Sequence, residues 1–268
     1  MLQSSRNSLA RTLQDLEAAL GSQSGTALAD GLLGIVSVLA ENSRLRRAMA
    51  DSAIEPERKR GVLQALFADS VDARSLEIAL DAAARHWARA QDYVTALEVA
   101  GVTAVAAGAQ SDGRLGEVEE ELFRFSRLLE SDHELGWAFS SPAPAESKRA
   151  LVGDLLDAKA SADTVRLVSQ AAAHPRGMRV SETLDTYSEV LAARQRRSVA
   201  EVTVAQPMSP EQQERLTAAL SASYGRELVL NVHVDPEVVG GVRVQVGDEV
   251  MNSTISDRLA DARRRLAG

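Results

Sequence analysis

The hydrophobic pattern of this chain changes period once, near residue 198, and that change limits the fold more than any other feature. Upstream of it, apolar side chains recur at the intervals of an α-helix. Leu9, Leu13, Leu16 and Leu20 form one stripe, and Leu28, Leu32, Val36 and Leu39 the next. Pro56 opens a segment carrying Val62, Leu63, Leu66 and Phe67, which Leu76, Leu80, Ala83 and Trp87 follow. A run from Tyr93 to Ala107 is expected to stop at Gly108, with Gly113 and Gly116 in the loop beyond. Further stripes are Leu122, Phe125, Leu128 and Leu129; Leu151, Val152, Leu155 and Leu156; Val165, Val168 and Ala172; and Leu184, Tyr187 and Leu191.

Downstream, the period falls to that of a strand. Residues 199–205 are rich in valine, Leu228, Leu230, Val232 and Val234 alternate with Val229, Asn231 and His233, and Val242, Val244 and Val246 alternate with Arg243 and Gln245. Between the first two lies a helix with Ser209 as N-cap, Pro210 in its first turn, Gln212 at the capping-box position and Gly225 after its end. A last helix is expected from Ser256 to Ala267. The expected fold class is α+β and mainly α: a duplicated antiparallel helical bundle, then a small C-terminal α/β unit of three strands and two helices.

The duplication is read directly from the residues. Shifting Glu57–Arg85 by 89 positions lays it on Glu146–His174, so that Glu57, Lys59, Arg60, Leu66 and Ala73 meet Glu146, Lys148, Arg149, Leu155 and Ala162. Upstream, an offset of 90 pairs Leu39 with Leu129, Leu45 with Leu135 and Ala48 with Ala138. The order of punctuation is shared as well, which favours duplication over a chance match of Ala- and Leu-rich helices. With a period this long, the helix at Tyr93–Ala107 can end one module and begin the next. The domains expected are therefore a first helical module at 1–108, a second bundle at 93–198 and an α/β domain at 199–268.

Composition removes several function classes. Of 268 residues, 38 are acidic and 30 basic, a formal charge of −8, so there is no concentrated basic face for nucleic acid. Arg263-Arg264-Arg265 reads as a solvated helix end that complements the helix dipole. Cysteine is absent, which excludes disulfides and thiolate metal sites. No apolar run is long enough for direct membrane insertion, and Asp15 and Glu17 break any signal-peptide pattern. The expected place is the cytosol, or a membrane periphery reached through a partner.

Catalytic constellations are missing too. His86, His133, His174 and His233 are scattered, and His86 and His174 fall within one residue of each other in the repeat, a structural correspondence. Gly240-Gly241 is followed by Val242 without Gly-Lys-Ser/Thr, so it is no phosphate loop. The Gly108–Gly116 stretch has no preceding strand and reads as a linker, and Ser147-Lys148 lacks the supporting motifs of a hydrolase. The run Glu117-Val118-Glu119-Glu120-Glu121 reads as a solvated helix face. No catalytic, cofactor-binding or metal-binding residue is expected, and no cofactor.

One stretch is specific. Asp235-Pro236-Glu237-Val238-Val239-Gly240-Gly241-Val242-Arg243-Val244-Gln245-Val246-Gly247-Asp248-Glu249-Val250, continuing through Met251-Asn252-Ser253-Thr254-Ile255-Ser256-Asp257-Arg258-Leu259, resembles the signature of the delta subunit family of F-type ATP synthases, the oligomycin-sensitivity-conferring protein family. Asn252 stands where members of the family usually carry aspartate. Glu121-Leu122-Phe123-Arg124-Phe125, Ser140-Ser141-Pro142, Lys148-Arg149-Ala150-Leu151 and Thr164-Val165-Arg166-Leu167-Val168 resemble successive helices of the family's six-helix bundle. The resemblance runs from about Tyr93 to Gly268 and looks like a long, actinobacterial form; residues 1–92 are an extra part-copy of the bundle. In the signature, Gly240 and Gly241 permit close backbone approach, Gly247-Asp248 turns the chain at the end of a strand, and Asn252, Ser253 or Thr254 can cap the last helix.

The resemblance implies a non-catalytic peripheral-stalk protein, on the cytoplasmic face of a bacterial cell membrane, linking the alpha/beta catalytic head to the b subunit. It implies that the bundle receives the N-terminal helix of an alpha subunit between its first and fifth helices. The walls of that groove would be Leu97, Gly101 and Val105, facing Val165, Val168 and Ala172. These positions serve equally well as bundle core. The C-terminal domain would hold the C-terminal helix of the b subunit, and the extra module would be a second grip on head or stalk. The rival readings are an all-helical adaptor unrelated to ATP synthase, which the α/β tail argues against, and a small-molecule enzyme with a site near Arg194–Ser198.

Overall fold

The computed structural model describes residues 1–21, 24–197, 199–224, 228–235, 242–246 and 249–252. They belong to two compact units, Met1–Ala192 and Ala193–Gly268.

The first unit is built from helices α1 (Gln3–Leu20), α2 (Gly25–Glu41), α3 (Ser43–Ala50), α4 (Pro56–Phe67), α5 (Ala73–Ala83), α6 (Ala90–Ser111), α7 (Leu115–Ser131), α8 (His133–Ser140), α9 (Ala145–Leu156), α10 (Ala162–Ala173) and the greater part of α11 (Val180–Arg197). Their lengths run 18, 17, 8, 12, 11 and 22 residues through α6. Counted again from α6, they run 22, 17, 8, 12, 12 and 18. Local chemistry repeats with them. Asn42 caps α3 by accepting from the Leu45 N–H at 3.0 Å, and Asp132 caps α8 by accepting from the Leu135 N–H at 3.0 Å. Lys59 and Lys148, paired by the offset, are both buried, and Lys59 satisfies its ammonium on the Ala83 carbonyl at 2.9 Å.

Both modules share one core, a continuous cluster from Leu16 to Leu191. At its centre α6 is buried on nearly every side, as a helix apolar all round must be. Helix α2 lies on α6 at backbone distance: a Cβ on Gly25 would meet the Ala104 carbonyl oxygen at 2.6 Å and the Gly108 nitrogen at 2.8 Å. Gly108 therefore serves close approach and does not end the helix, which runs on to Ser111; the left-handed residue beyond the end is Gly113, at φ 69°. Gly116 lies within α7, not in the loop. Some expected stripes are narrower than their periodicity suggests. Val62 and Leu66 on α4 and Leu128 on α7 face solvent, while Leu63, Phe67, Leu122, Phe125 and Leu129 are buried.

The second unit contains β1 (Val199–Val204), α12 (Pro210–Tyr224), β2 (Val229–Val234), β3 (Val242–Val246) and β4 (Glu249–Asn252), with sheet order β2-β1-β3-β4. Val202 of β1 pairs with Val232 of parallel β2 and with Val244 of antiparallel β3. The capping box forms as expected: the Gln212 N–H donates to Ser209 Oγ at 3.3 Å and the Ser209 N–H to Gln212 Oε1 at 2.9 Å. Ala200, Val202, Val204, Val244 and Val246 bury one face against Leu220 and Leu228. Val234 does not join them and is 49% exposed, because β2 is an edge strand.

Strand β4 is additional to the three strands expected. It pairs antiparallel with β3 through Val246 and Glu249. Four residues ending in asparagine are too short to show a period, although Gly-Asp between two β segments is a hairpin signal. Asn252 thus ends a strand. Gly225 and the helix expected at Ser256–Ala267 lie outside the described residues.

Candidate functional site

The structure buries five of the six expected groove residues. Leu97 and Val105 on α6 and Val168 and Ala172 on α10 are at most 1% exposed, and Val165 is half-buried. Over Gly101 the cover is the chain's own α2: a Cβ there would stand 2.7 Å from Leu33 Cδ2. Polar contacts fasten α2 across to the second module. Asp30 pairs with Arg166 of α10 at 2.7 Å, the Ser37 hydroxyl donates to Gln170 Oε1 at 3.4 Å, and Arg149 of α9 donates to Ser37 Oγ at 3.3 Å. Periodicity shows that these faces are apolar but cannot show what lies on them.

Two polar clusters have no counterpart in the sequence expectations. Glu98, in the middle of the apolar α6, is 1% exposed, pairs with Arg176 and accepts from the Tyr187 hydroxyl at 2.7 Å. Arg176 also donates to Thr95 Oγ1 at 2.8 Å, and its backbone is left-handed at φ 52°. Burial raises the Glu98 pKa above the ordinary carboxylate value despite the opposing pull of Arg176 and Tyr187. Burial, followed by the Glu98 charge, pushes the Tyr187 phenol well up. The only trace of this cluster in the sequence is a glutamate inside an apolar run. The second cluster overturns the solvated reading of one residue in the acidic run. Glu121 accepts from the Ser161 N–H at 3.0 Å and the Ser161 hydroxyl at 2.8 Å, and also from Thr164, at the start of α10. Burial acts to raise its pKa, but the Thr164 and Ser161 hydrogen bonds leave it below the ordinary value.

In the second unit, two of the described signature residues, Asp235 and Val242, meet at Val204, while Asn252 pairs with Arg243 across β3 and β4. The Asp235 N–H donates to the Val204 carbonyl at 2.9 Å, and Val242 is the cross-strand partner of Val204. Pro236, Gly240, Gly241, Gly247, Asp248, Ser253, Arg258 and Leu259 lie outside the described residues. Beside this junction, an open groove of about 820 Å³ is floored by Val204, Pro207, Met208, Leu216 and Val242, with Gln212, Arg215 and Ala219 along α12. The other sheet face is polar. Glu201 accepts from Asn231 Nδ2 at 3.0 Å and pairs with His233 Nε2 at 2.7 Å, and the Asn231 hydrogen bond leads in lowering its pKa. Among the described residues no group of His, Asp or Glu could hold a metal ion, and no helix is long and apolar enough to cross a membrane.

The family model described as "ATP synthase delta (OSCP) subunit" matches residues 102–266, from within α6 onward. The chain is 39% identical over 265 residues to an "ATP synthase subunit delta" of Thermobifida fusca, covering 98% of each chain. It is 42% identical over 266 residues to an "ATP synthase subunit delta" of Streptomyces coelicolor, covering 98% of this chain and 97% of that one. The added N-terminal module is therefore shared by these relatives. A chain in the cryo-EM structure of the Toxoplasma gondii mitochondrial ATP synthase hexamer is a distant likeness, with TM-score 0.33 and 19% identity over 62% of this chain and 95% of that one, too distant to bear on the fold. With more than half of its length matched by the family model and nearly all of it by relatives of this identity, the chain belongs to the ATP synthase delta (OSCP) subunit family.

Proposed function

We propose that this chain, a structural and non-catalytic stator subunit of ATP synthase, grips the alpha/beta head through its helical unit and the C-terminal helix of the b subunit through its α/β unit. As part of the stator it resists rotor torque, so that proton-driven rotation is coupled to ATP synthesis. The observation that carries the stalk contact is the groove at Val204, Met208, Leu216 and Val242. Its apolar floor and the polar residues along α12 suit one face of an amphipathic helix. As part of the complex, the protein sits at the cytoplasmic face of the bacterial cell membrane.

On the head side, the groove between α6 and α10 is closed by α2. The contact with the alpha subunit is therefore assigned to outer surfaces of the helical unit, with the added module as part of the grip. Deleting residues 1–92 cannot test this, because it would strip α2 from α6 and expose Leu97 and Val105. The stalk contact is tested by titrating a peptide with the sequence of the last helix of the b subunit into the full chain. Ala219→Glu puts a charge into the groove at an exposed helical position. Affinity should fall about tenfold or more with an unchanged melting temperature. Unchanged affinity, or no binding by the parent chain, refutes the assignment.

A further inference from the structure

Helices α3 and α8 are equivalent under the offset of 90, and burial is the same at every position of the two but the last. Each follows a longer helix, α2 or α7, after a single capping residue, Asn42 or Asp132. In the first module Arg46 of α3 turns back onto the end of α2. Its Nη1 donates to the Leu39 carbonyl at 3.1 Å and to the Ala40 carbonyl at 3.0 Å. Both carbonyls lie in the last turn of α2, where the helix supplies no N–H of its own and its dipole favours a cation.

In the second module Gly136 stands at the position of Arg46. The corresponding carbonyls are those of Leu129 and Glu130, in the last turn of α7, and among the described residues no donor reaches either of them. Gly136 keeps the same place beside them, since a Cβ on it would lie 3.1 Å from the Leu129 carbonyl oxygen. Where the first module has a guanidinium, the second has a cavity of about 380 Å³, bounded by Leu129 and Glu130 of α7, Gly136 and Phe139 of α8, and Ser181 of α11. Two charged side chains at this cavity are already matched: Glu130 pairs with Arg127, and Arg179 with Glu182. Ser181 is 7% exposed, and its hydroxyl has no hydrogen-bond partner among the described residues. What the cavity offers a ligand is therefore two helix-terminal carbonyls and a buried hydroxyl, a set of acceptors.

We propose that this cavity binds a guanidinium group from outside the chain, on the two carbonyls whose counterparts Arg46 satisfies in the first module. The planar fork of a guanidinium addresses two acceptors at once, which a compact ammonium does less well. An arginine side chain of another protein and a free guanidino compound present the same chemistry. The inference does not depend on the stalk contact of the α/β unit.

The test is an NMR titration of the full chain with Nα-acetyl-arginine methylamide, following the backbone amides of Glu130, Gly136 and Ser181. Saturable shifts at these amides are expected. The citrulline analogue keeps the donors but loses the charge, and should bind about tenfold more weakly. Free arginine and agmatine separate the sources. Tighter binding of the blocked compound marks an arginine within a polypeptide, and tighter binding of the free compounds marks a small molecule; either supports the proposal. Gly136→Arg supplies the group from within and should abolish the shifts. Arg46→Gly tests the same equivalence without adding a side chain: a second set of shifts should arise at positions 39 and 46. The compound should also restore part of the melting temperature lost in Arg46→Gly. No saturable shift in the parent chain, equal binding of the citrulline analogue, retained binding in Gly136→Arg or no second set in Arg46→Gly overturns the proposal. So does a Ser181 shift with sulfate but not with the arginine compound, which would mark the start of α11 as an anion site.

Discussion

Arg176→Ala probes the buried charge that ties α6 to α11. In the parent chain Glu98 is 1% exposed and held by Arg176 and the Tyr187 hydroxyl, while Arg176 itself is 14% exposed and also anchored to Thr95. Removing the guanidinium leaves a carboxylate in a low-dielectric core with one neutral donor. Breaking a buried pair in this way costs about 3–5 kcal/mol. For a unit of this size each kcal/mol lowers the melting temperature by about 2–4 °C, so a drop of roughly 6–20 °C is expected.

The sign of the pH dependence follows from burial. Glu98 already has a folded pKa above its ordinary 4.5, and losing Arg176 removes a pull that lowers it, so the variant's value rises further. A carboxylate with a raised folded pKa loses stability as pH rises through the interval between its unfolded and folded values. The deficit of Arg176→Ala should therefore grow as pH rises above the ordinary carboxylate range and shrink as pH falls and Glu98 is protonated. Buried His174 has its pKa lowered by burial and then by Arg149, and Arg176 acts on it in the same direction. The clean comparison is therefore with the double variant Arg176→Ala, Glu98→Gln, which shares that change. Thermal melts monitored by circular dichroism should show the double variant recovering most of the loss and following pH less steeply than Arg176→Ala. A deficit below about 1 kcal/mol, a deficit independent of pH, or a double variant no better than the single would refute the reasoning.

Gly25→Val should destabilise the helical unit by about 1–3 kcal/mol, because its side chain meets the backbone of α6. Gly34→Ala, in the same helix with nothing within 4 Å, should be neutral or stabilising by up to about 1 kcal/mol in the same melts. Glu121→Gln should cost about 1–2 kcal/mol; since hydrogen bonds hold the carboxylate below its ordinary value of 4.5, its contribution is present above that pH and disappears as pH falls through the folded pKa. Ser209→Ala should cost about 1 kcal/mol and speed hydrogen exchange in the first turn of α12, because the Gln212 N–H loses its acceptor.

Much of the architecture was legible because it is local. Helical spacing, the capping box at Ser209 and Gln212 and the valine alternation of β1 and β3 depend on residues close together in the chain, and the structure has all of them. The two helical stretches could be matched because their punctuation recurs along with their apolar pattern. Strand β4 escaped because its order comes from β3 across the hairpin and not from its own four residues.

What the sequence alone determined was which faces are apolar and which family signature the chain carries; what only the tertiary structure decided was what meets those faces. Leu33 and Phe123 occupy equivalent positions with similar chemistry, yet one is sealed against Gly101 and the other stands in solvent. Leu97 and Val168 read equally well as groove or core from their spacing, and it is α2, lying over Gly101 and fastened to α10, that makes them core. Glu98 and Glu121 look like any glutamates on a helix, and their partners Arg176, Tyr187, Ser161 and Thr164 are distant along the chain. The physical reason is that hydrophobic burial is non-directional: a side chain's period shows that it must be covered, and only the path of the backbone through space selects the cover.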